Sequence, residues 1–459
     1  MPKKLVHFVG IGGIGMSALA RWFLAQKWAV SGSDASDGEI VQELQKEGAK
    51  IKIGHKKTNI SPNTALIIYS QAIRKNNPEL REGLRRGIEM ESYPEMIGDL
   101  TQRYKTIAIA GAHGKSTTTA LVSLMLIQAG LDPTVIVGTK LRELRGKNFR
   151  CGRGPWFVLE ADEYKESFRY YSPTAAIITN IDREHLDYYR DLRRIKKAFL
   201  RFTENIREGG TLVVNQDDKN LWSMRPALQR IAMRKKVQVR WHSLVEGNKR
   251  LISRLSRAVK IAGRHNLSNV LAAYTLARSL GISEETILKA VGQYRGAWRR
   301  MEYRGTLRLL VRGKEFLVPV FDDYAHHPTE IRATLAAFRE RYPERRIICV
   351  FQPHQAERLR LLFKDFITAF TDADALILLP TYRVRGRDKQ ISTFTAHALG
   401  SAIAEKKTSL AVTYLPYPQR LSAAIARALE GNKKSILIMM GAGDIVSYTN
   451  RLLEKNYRT

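Results

Sequence analysis

The residues best placed to do chemistry are Gly111-Ala112-His113-Gly114-Lys115-Ser116-Thr117-Thr118-Thr119. They follow the apolar, β-branched run Thr106 to Ala110 and precede a helical pattern, Ala120, Leu121, Leu124, Met125 and Ile127. Strand, glycine loop, Lys-Ser, helix is the build of a nucleotide phosphate cradle. Backbone N–H groups must approach phosphate oxygens closely, so side chains there must be absent or small. The helix N-terminus adds positive potential. Lys115 supplies a point charge for the outer phosphates, and the Ser116 hydroxyl suits Mg²⁺. The loop is two residues shorter than the common G-x-x-x-x-G-K-[ST] pattern.

Further candidates stand at the ends of other predicted strands. Glu160-Ala161-Asp162-Glu163 closes Phe157-Val158-Leu159. A carboxylate at such a place is where a nucleoside triphosphatase puts its second Mg²⁺ anchor. Asn180-Ile181-Asp182-Arg183-Glu184-His185-Leu186-Asp187 also follows a strand, and His185 reads as a metal ligand, a base or part of a charged surface loop. Asn266 and Asn269 are three apart, on one helical face, where paired amides read the edge of adenine or Asn266 caps the helix. Arg299-Arg300 follow Gly296 in an expected hinge. Asp322-Asp323-Tyr324-Ala325-His326-His327-Pro328 and Gln352-Pro353-His354 stand at two later strand ends. These histidines lack the helical i, i+4 spacing of a zinc site.

The chain opens with Leu5 to Val9, then Gly10-Ile11-Gly12-Gly13-Ile14-Gly15, a helix from Met16 to about Gln26, and a strand from Trp28 to Ser31 that ends at Gly32-Ser33-Asp34. This satisfies G-x-G-x-x-G with an acidic residue about 20 positions on. The physics requires only a phosphate-bearing ligand on the first helix N-terminus with Asp34 near a ribose hydroxyl. A UDP-sugar pyrophosphate fits as well as NAD.

These sites need elements to hold them. At 459 residues the chain exceeds what one core usually supports. Strands and helices alternate throughout, which implies α/β domains with mainly parallel sheets and ligands at the carboxyl ends of the strands. We expect three domains, 1–102, 103–296 and 297–459. The basic stretch Lys219 to Lys260 reads as irregular. No window holds eighteen apolar residues, no leader pattern is visible, and Cys151 and Cys349 suggest neither a disulfide framework nor a metal site. A cytoplasmic protein without a membrane partner is expected.

The net charge of +32 and a pI near 10.2 permit nucleic acid, an anionic surface or an acidic substrate as partner. Basic residues are spread in several runs, including Arg142 to Arg150, Arg225 to Arg240 and Arg383 to Lys389, and no nucleic-acid-binding module is visible. A generally basic surface is expected, with no dedicated nucleic-acid partner.

Taken together the motifs resemble those of the Mur ligases of peptidoglycan synthesis. Six occur in order: Gly10 to Gly15 with Gly32-Ser33-Asp34; Gly111 to Thr119; Glu160 to Glu163; Gly263 to Asn269; Asp322 to Glu330; and Phe351-Gln352-Pro353-His354 with Gly441 to Ile445. The resemblance implies a Rossmann-like N-terminal domain, a central ATPase domain of P-loop type and a Rossmann-like C-terminal domain. It implies ATP and Mg²⁺ as cofactors and the joining of L-alanine to UDP-N-acetylmuramate through an acyl phosphate, by a monomer or homodimer. Gly111, Ala112, His113, Gly114, Lys115, Ser116, Thr117, Asn266, Asn269 and Arg300 would meet ATP. Ser116, Glu160 and His185 would hold metal, and Lys115, Glu160, His185 and Arg300 would be catalytic. Gly12, Gly13, Ile14, Gly15, Asp34, His55 and Ser70 would line the UDP-sugar path. Tyr324, His326, His354 and Arg358 would face the amino acid.

Some positions depart from the family pattern: Ala112 stands for the usual Thr, Tyr164-Lys165-Glu166 for a Ser-Asp pattern, and Gln355 for an arginine. The loop after Tyr382 is arginine-rich. Two other readings remain at this stage. One is a recycling ligase that joins UDP-N-acetylmuramate to a preformed peptide. The other is an NAD-dependent oxidoreductase resting on the first glycine loop alone.

Overall fold

The computed structural model describes residues 3–383, 388, 393–429, 434–454 and 457–458. Most of the arginine-rich run 383–389 lies outside the described residues. The chain divides into two compact units. One comprises Met1–Asp182, Leu192–Val259 and Ser268–Tyr294, and the other Arg183–Asp191, Lys260–Leu267 and Arg295–Thr459. Among the described residues, no helix is long and apolar enough to cross a membrane.

The first unit holds two sheets. Strands β1 (Leu5–Val9), β2 (Ala29–Asp34), β3 (Lys50–Ile53), β4 (Thr64–Tyr69) and β5 (Glu89–Ser92) form a parallel sheet in the order β3-β2-β1-β4-β5. The order reverses direction at β1, and in such sheets ligands sit outside the carboxyl ends of the strands at that point. The second sheet contains β6 (Lys105–Ala110), β7 (Thr134–Leu141), β8 (Lys147–Arg150), β9 (Trp156–Glu160), β10 (Ala175–Ile178), β11 (Thr211–Asn215) and β12 (Gln238–His242), in the order β12-β11-β10-β6-β9-β7-β8. Only the β7–β8 pair is antiparallel. Ile107 to Ala110 of β6 and Ala175 to Ile178 of β10 are buried, as central parallel strands covered on both faces must be.

The second unit carries β13 (Glu302–Val311), β14 (Lys314–Asp323), β15 (Arg346–Phe351), β16 (Ala375–Leu378), β17 (Ala411–Tyr414), β18 (Ser435–Met440) and β19 (Tyr457–Arg458), in the order β17-β16-β15-β18-β14-β13-β19. Alternation along β15 feeds two cores. Ile347, Cys349 and Phe351 join the cluster around Phe338 and Phe366, and Ile348 and Val350 join the cluster around Ile425 and Leu437.

The mainly parallel α/β architecture with three sheets is the expected one. One regional expectation fails. Residues 219–260 are not irregular but contain the helices Lys219–Ser223, Arg225–Arg234 and Lys249–Ala258, and strand β12. Arginine and lysine are good helix formers. Sparse anchors, Leu228 and Ala232 in one helix and Leu255 in another, fix the buried faces. The antiparallel strands β8 and β13 were also not expected. Each is a partner in a hairpin: β8 is four residues long with Asn148 and Phe149 both buried, and β13 alternates only over Thr306 to Leu310.

Candidate active site

In the first unit, the loop after β6 is shaped by backbone demands. Gly111 and Gly114 have φ of 136° and 83°, and an added Cβ would lie 2.1 Å from Thr179 Oγ1 and 2.5 Å from Asn269 Oδ1. Both glycines are therefore needed for conformation and for clearance. The loop is tied to the segment after β10. Ala112 N–H donates to the Asn180 carbonyl (3.1 Å), His113 N–H to Asn180 Oδ1 (2.9 Å), and Asn180 Nδ2 donates back to the His113 carbonyl (2.9 Å). Thr179 Oγ1 donates to the same carbonyl (2.6 Å). The His113 ring lies 2.9 Å from Asp182. The amides of Ala112 and His113 thus hold the loop's shape. The helix Lys115–Gln128 begins next, and its first amides have no acceptor within the helix.

Lys115 Nζ donates to the Gly111 carbonyl (2.6 Å) and to both Glu163 oxygens (2.9 and 3.1 Å). Burial alone would lower its pKa; the carboxylates of Glu163, Asp162 and Glu160 outweigh that and raise it, so the ammonium stays charged. Glu160 ends β9, and its Oε1 accepts from Gly138 N–H at 2.6 Å. Asn269 lies against the loop at Gly114.

The glycine loop after β1 is closed differently. Asp34 Oδ2 accepts from Gly12 N–H at 2.8 Å and Oδ1 from Ser36 N–H at 3.2 Å. Asp34 therefore buttresses the loop itself. Gly13 is the N-cap of the helix Ile14–Ala25, and a Cβ on Gly15 would meet the Tyr93 ring at 2.8 Å. Ser70 follows β4, beside Gly10, and His55 follows β3.

The second unit gathers another set. Asp323 accepts from Met301 and Ala325 N–H, each at 2.8 Å, and this fixes the turn that presents Tyr324 and His326. Arg299 is buried and donates to the carbonyls of Gly441 and Gly443. Arg300 pairs with Glu330 at 3.3 Å and lies 5.4 Å over the Tyr324 ring. Arg358 Nη2 bonds Glu184 Oε2 at 3.2 Å, and its Nη1 reaches the Nδ1 and the carbonyl of His354 at 3.3 Å. His354 stacks on Tyr382 and lies 6.0 Å from His326. Burial would raise the pKa of Glu184, but Arg358 first and then His327, His326 and His185 hold it well below the usual carboxylate range. Burial, with Arg358 next, pushes His326 down to about 3, so its ring is neutral near pH 7. A small pocket in this unit is lined by Arg183, Glu184, His185, Gln355 and Arg358 among others.

One sequence alternative fails here. Asn266 does not cap its helix, which begins at Arg264; its Nδ2 donates to the Ala262 carbonyl at 2.7 Å. His185 has φ of 54° and precedes the short helix Leu186–Tyr189. It belongs to the second unit, whereas Glu160 and Ser116 belong to the first.

Three family models match the chain in order: Mur ligase family, catalytic domain, over residues 5–105; Mur ligase middle domain over 109–277; and Mur ligase, glutamate ligase domain, over 299–443. The chain belongs to the Mur ligase family. Among curated Mur ligases it is 40% identical over 393 residues to the UDP-N-acetylmuramate–L-alanine ligase of Aquifex aeolicus, covering 83% of this chain and 84% of that one. It is 37% identical to the Clostridium tetani enzyme of the same name, over 96% of both chains. The solved UDP-N-acetylmuramate-alanine ligase of Thermotoga maritima superposes with a TM-score of 0.77 at 26% identity, over 98% of both chains. A murein peptide ligase of Psychrobacter arcticus shares the fold, with a TM-score of 0.66 at 22% identity over 98% of both chains.

Within this Mur ligase fold, three carboxylates escaped the sequence reading of the site. Glu163 pairs with Lys115, Glu184 with Arg358, and Glu79 is fully buried in the first sheet's domain. Glu163 and Glu184 each sit inside a motif already singled out, three and one residues from the position chosen. Glu79 follows Asn77-Pro78, which spells only a helix start.

Proposed function

We propose that this Mur ligase joins L-alanine to the lactyl carboxylate of UDP-N-acetylmuramate at the expense of ATP. The observation that carries the reading is the Gly111–Thr119 loop with Lys115 held charged at a helix N-terminus. A carboxylate does not condense with an amine in water unaided. Transfer of the γ-phosphoryl group makes an acyl phosphate, the amine attacks its carbonyl carbon, and inorganic phosphate leaves. No protein nucleophile is needed, so the protein's task is to orient the groups and stabilise charge. Lys115 and the first amides of its helix are assigned to the transferring phosphoryl group.

The donor set of the first unit suits Mg²⁺: a Ser116 hydroxyl in the first helical turn and the Glu160 carboxylate are hard oxygen ligands, and the glycine cradle leaves no room for a Cβ. When bound, the ion neutralises charge on the phosphate oxygens. In the second unit, Arg300 is assigned to phosphate, and Tyr324, His326, His354 and Arg358 to the amino acid, whose carboxylate suits the planar guanidinium. Curated relatives named for the L-alanine reaction support this reading over peptide recycling and over an oxidoreductase.

The test supplies ATP, Mg²⁺ and UDP-N-acetylmuramate with each amino acid in turn and follows phosphate release. Release is expected with L-alanine and only with both cosubstrates present. Release that requires a tripeptide instead, or tight NADH binding without UDP-sugar binding, overturns the reading.

A further inference from the structure

Glu79 is fully buried in the first sheet's domain, and its carboxylate is hydrogen-bonded to groups outside its own helix. The helix Pro78–Arg85 is capped by Asn77, whose side chain accepts from Glu79 N–H at 2.8 Å. Both Glu79 oxygens turn outward to groups at the carboxyl edge of the sheet. Oε1 accepts from Asn59 Nδ2 at 2.6 Å and from Lys56 N–H at 3.2 Å. Oε2 accepts from Ser33 Oγ at 2.6 Å and lies 3.6 Å from His55 Nδ1 and 3.5 Å from His7 Nε2. Asn59 also donates to the Gly54 carbonyl at 3.0 Å. One carboxylate therefore ties both ends of the loop that carries His55.

The hydrogen count fixes the ring as well. Burial would raise the Glu79 pKa, but the nearby His7 ring and the hydrogen bonds from Ser33 and Asn59 lower it, so the group is an ionised acceptor. Ser33 has one hydroxyl hydrogen, and it goes to Glu79. Toward His55 Nδ1, 3.0 Å away, Ser33 can then only accept. Nδ1 must carry a hydrogen, and in the neutral ring Nε2 is left as an acceptor. Such an atom suits a hydroxyl or imide N–H of a nucleotide sugar.

We propose that Glu79, acting through Ser33 and the 54–59 loop, is a positioning residue that sets the orientation and tautomer of His55 for UDP-N-acetylmuramate. The proposal rests on the ligase reading given above. It assigns Glu79 no contact with substrate and no part in phosphoryl transfer.

The test is a double-mutant cycle on the full-length enzyme. His55→Ala should raise the KM for UDP-N-acetylmuramate about tenfold, a hydrogen bond's worth, with kcat and the KM values for ATP and L-alanine little changed. Glu79→Gln should raise the same constant to a similar extent, and Glu79→Gln/His55→Ala should be no worse than His55→Ala alone. Ser33→Ala, which cuts the relay and spares the carboxylate, repeats the cycle should Glu79→Gln not fold. A purely structural role predicts a lowered Tm with unchanged KM, or effects that multiply with those of His55→Ala. Either result overturns the proposal. UDP-N-acetylmuramate-dependent phosphate release that His55→Ala leaves untouched overturns it while the ligase reading stands. A wild type that neither binds nor turns over this substrate overturns both.

Discussion

The glycine loop after β6 in the first unit and the Arg358 cluster of the second differ in how much of their frame is local. The loop carries part of its frame in its own sequence, and Asn180, Thr179 and Glu163 fasten it. Lys115 folds onto the carbonyl of Gly111, four residues earlier, and the glycines, the helix start and the following threonines are contiguous in sequence. Its long-range ties are mostly to backbone, through Thr179 and Asn180. In the Arg358 cluster the local tie, from Arg358 to the His354 carbonyl four residues earlier, is only one part of the frame. Its central ion pair joins residues 174 apart, and the rings around it come from three separate strand ends. A phosphate group is recognised by backbone geometry that a short motif can encode. A small amino acid is recognised by a few side chains whose arrangement depends on the whole domain. A substitution in the loop should therefore abolish chemistry, and one in the cluster should redistribute affinity and choice.

The largest effect expected is that of Lys115→Ala. It should lower kcat by more than about 10³-fold, because the charge acts mainly on the transferring phosphoryl group. Circular dichroism and UDP-N-acetylmuramate binding should be unchanged. Retention of near-normal turnover would remove the loop from the mechanism and erase the contrast.

Glu160→Gln comes next. An anionic oxygen ligand becomes a neutral one, and the Gly138 N–H keeps an acceptor. We expect a higher Mg²⁺ requirement and a maximal rate lower by about ten- to a hundredfold. A Mg²⁺ titration that superposes on the wild type would make Glu160 a brace for β7 alone.

Arg358→Lys tests the cluster of the second unit. Lysine puts a point charge in place of the planar fork, so the apparent constant for L-alanine should rise about tenfold while that for ATP barely moves. Equal rises in both would show that the cluster is not specific to the amino acid.

The smallest effect is expected at Gln355, which lines the pocket and precedes the helix Ala356–Leu361 with φ of 69°. Gln355→Arg supplies the charge that the resemblance leads us to expect at this position. It should lower the constant for L-alanine a few-fold and narrow the choice among L-alanine, glycine and L-serine. Unchanged selectivity would place this side chain outside the amino-acid path.

The three-sheet α/β architecture and the glycine turns were legible because each depends on local rules. Periodicity selects strand or helix, and a glycine marks a backbone that no other residue adopts cheaply. The basic stretch 219–260 was misread because helix-forming arginines outnumber the few apolar anchors that decide which face is buried. Asn266 was misread as a possible cap because helix ends are the least certain part of a sequence reading, and the helix starts three residues earlier than such a cap requires.

By itself, then, the sequence determined most of the elements and their order, the two glycine loops and the family. Only the tertiary structure decided which carboxylate meets which cation. Glu163 meets Lys115, Glu184 meets Arg358, and Glu79 meets Ser33 and the His55 loop. The physical reason is that a buried charge needs partners within a few ångströms to offset its lost hydration. Those partners arrive from segments tens to hundreds of residues away, and no local spacing records their arrival.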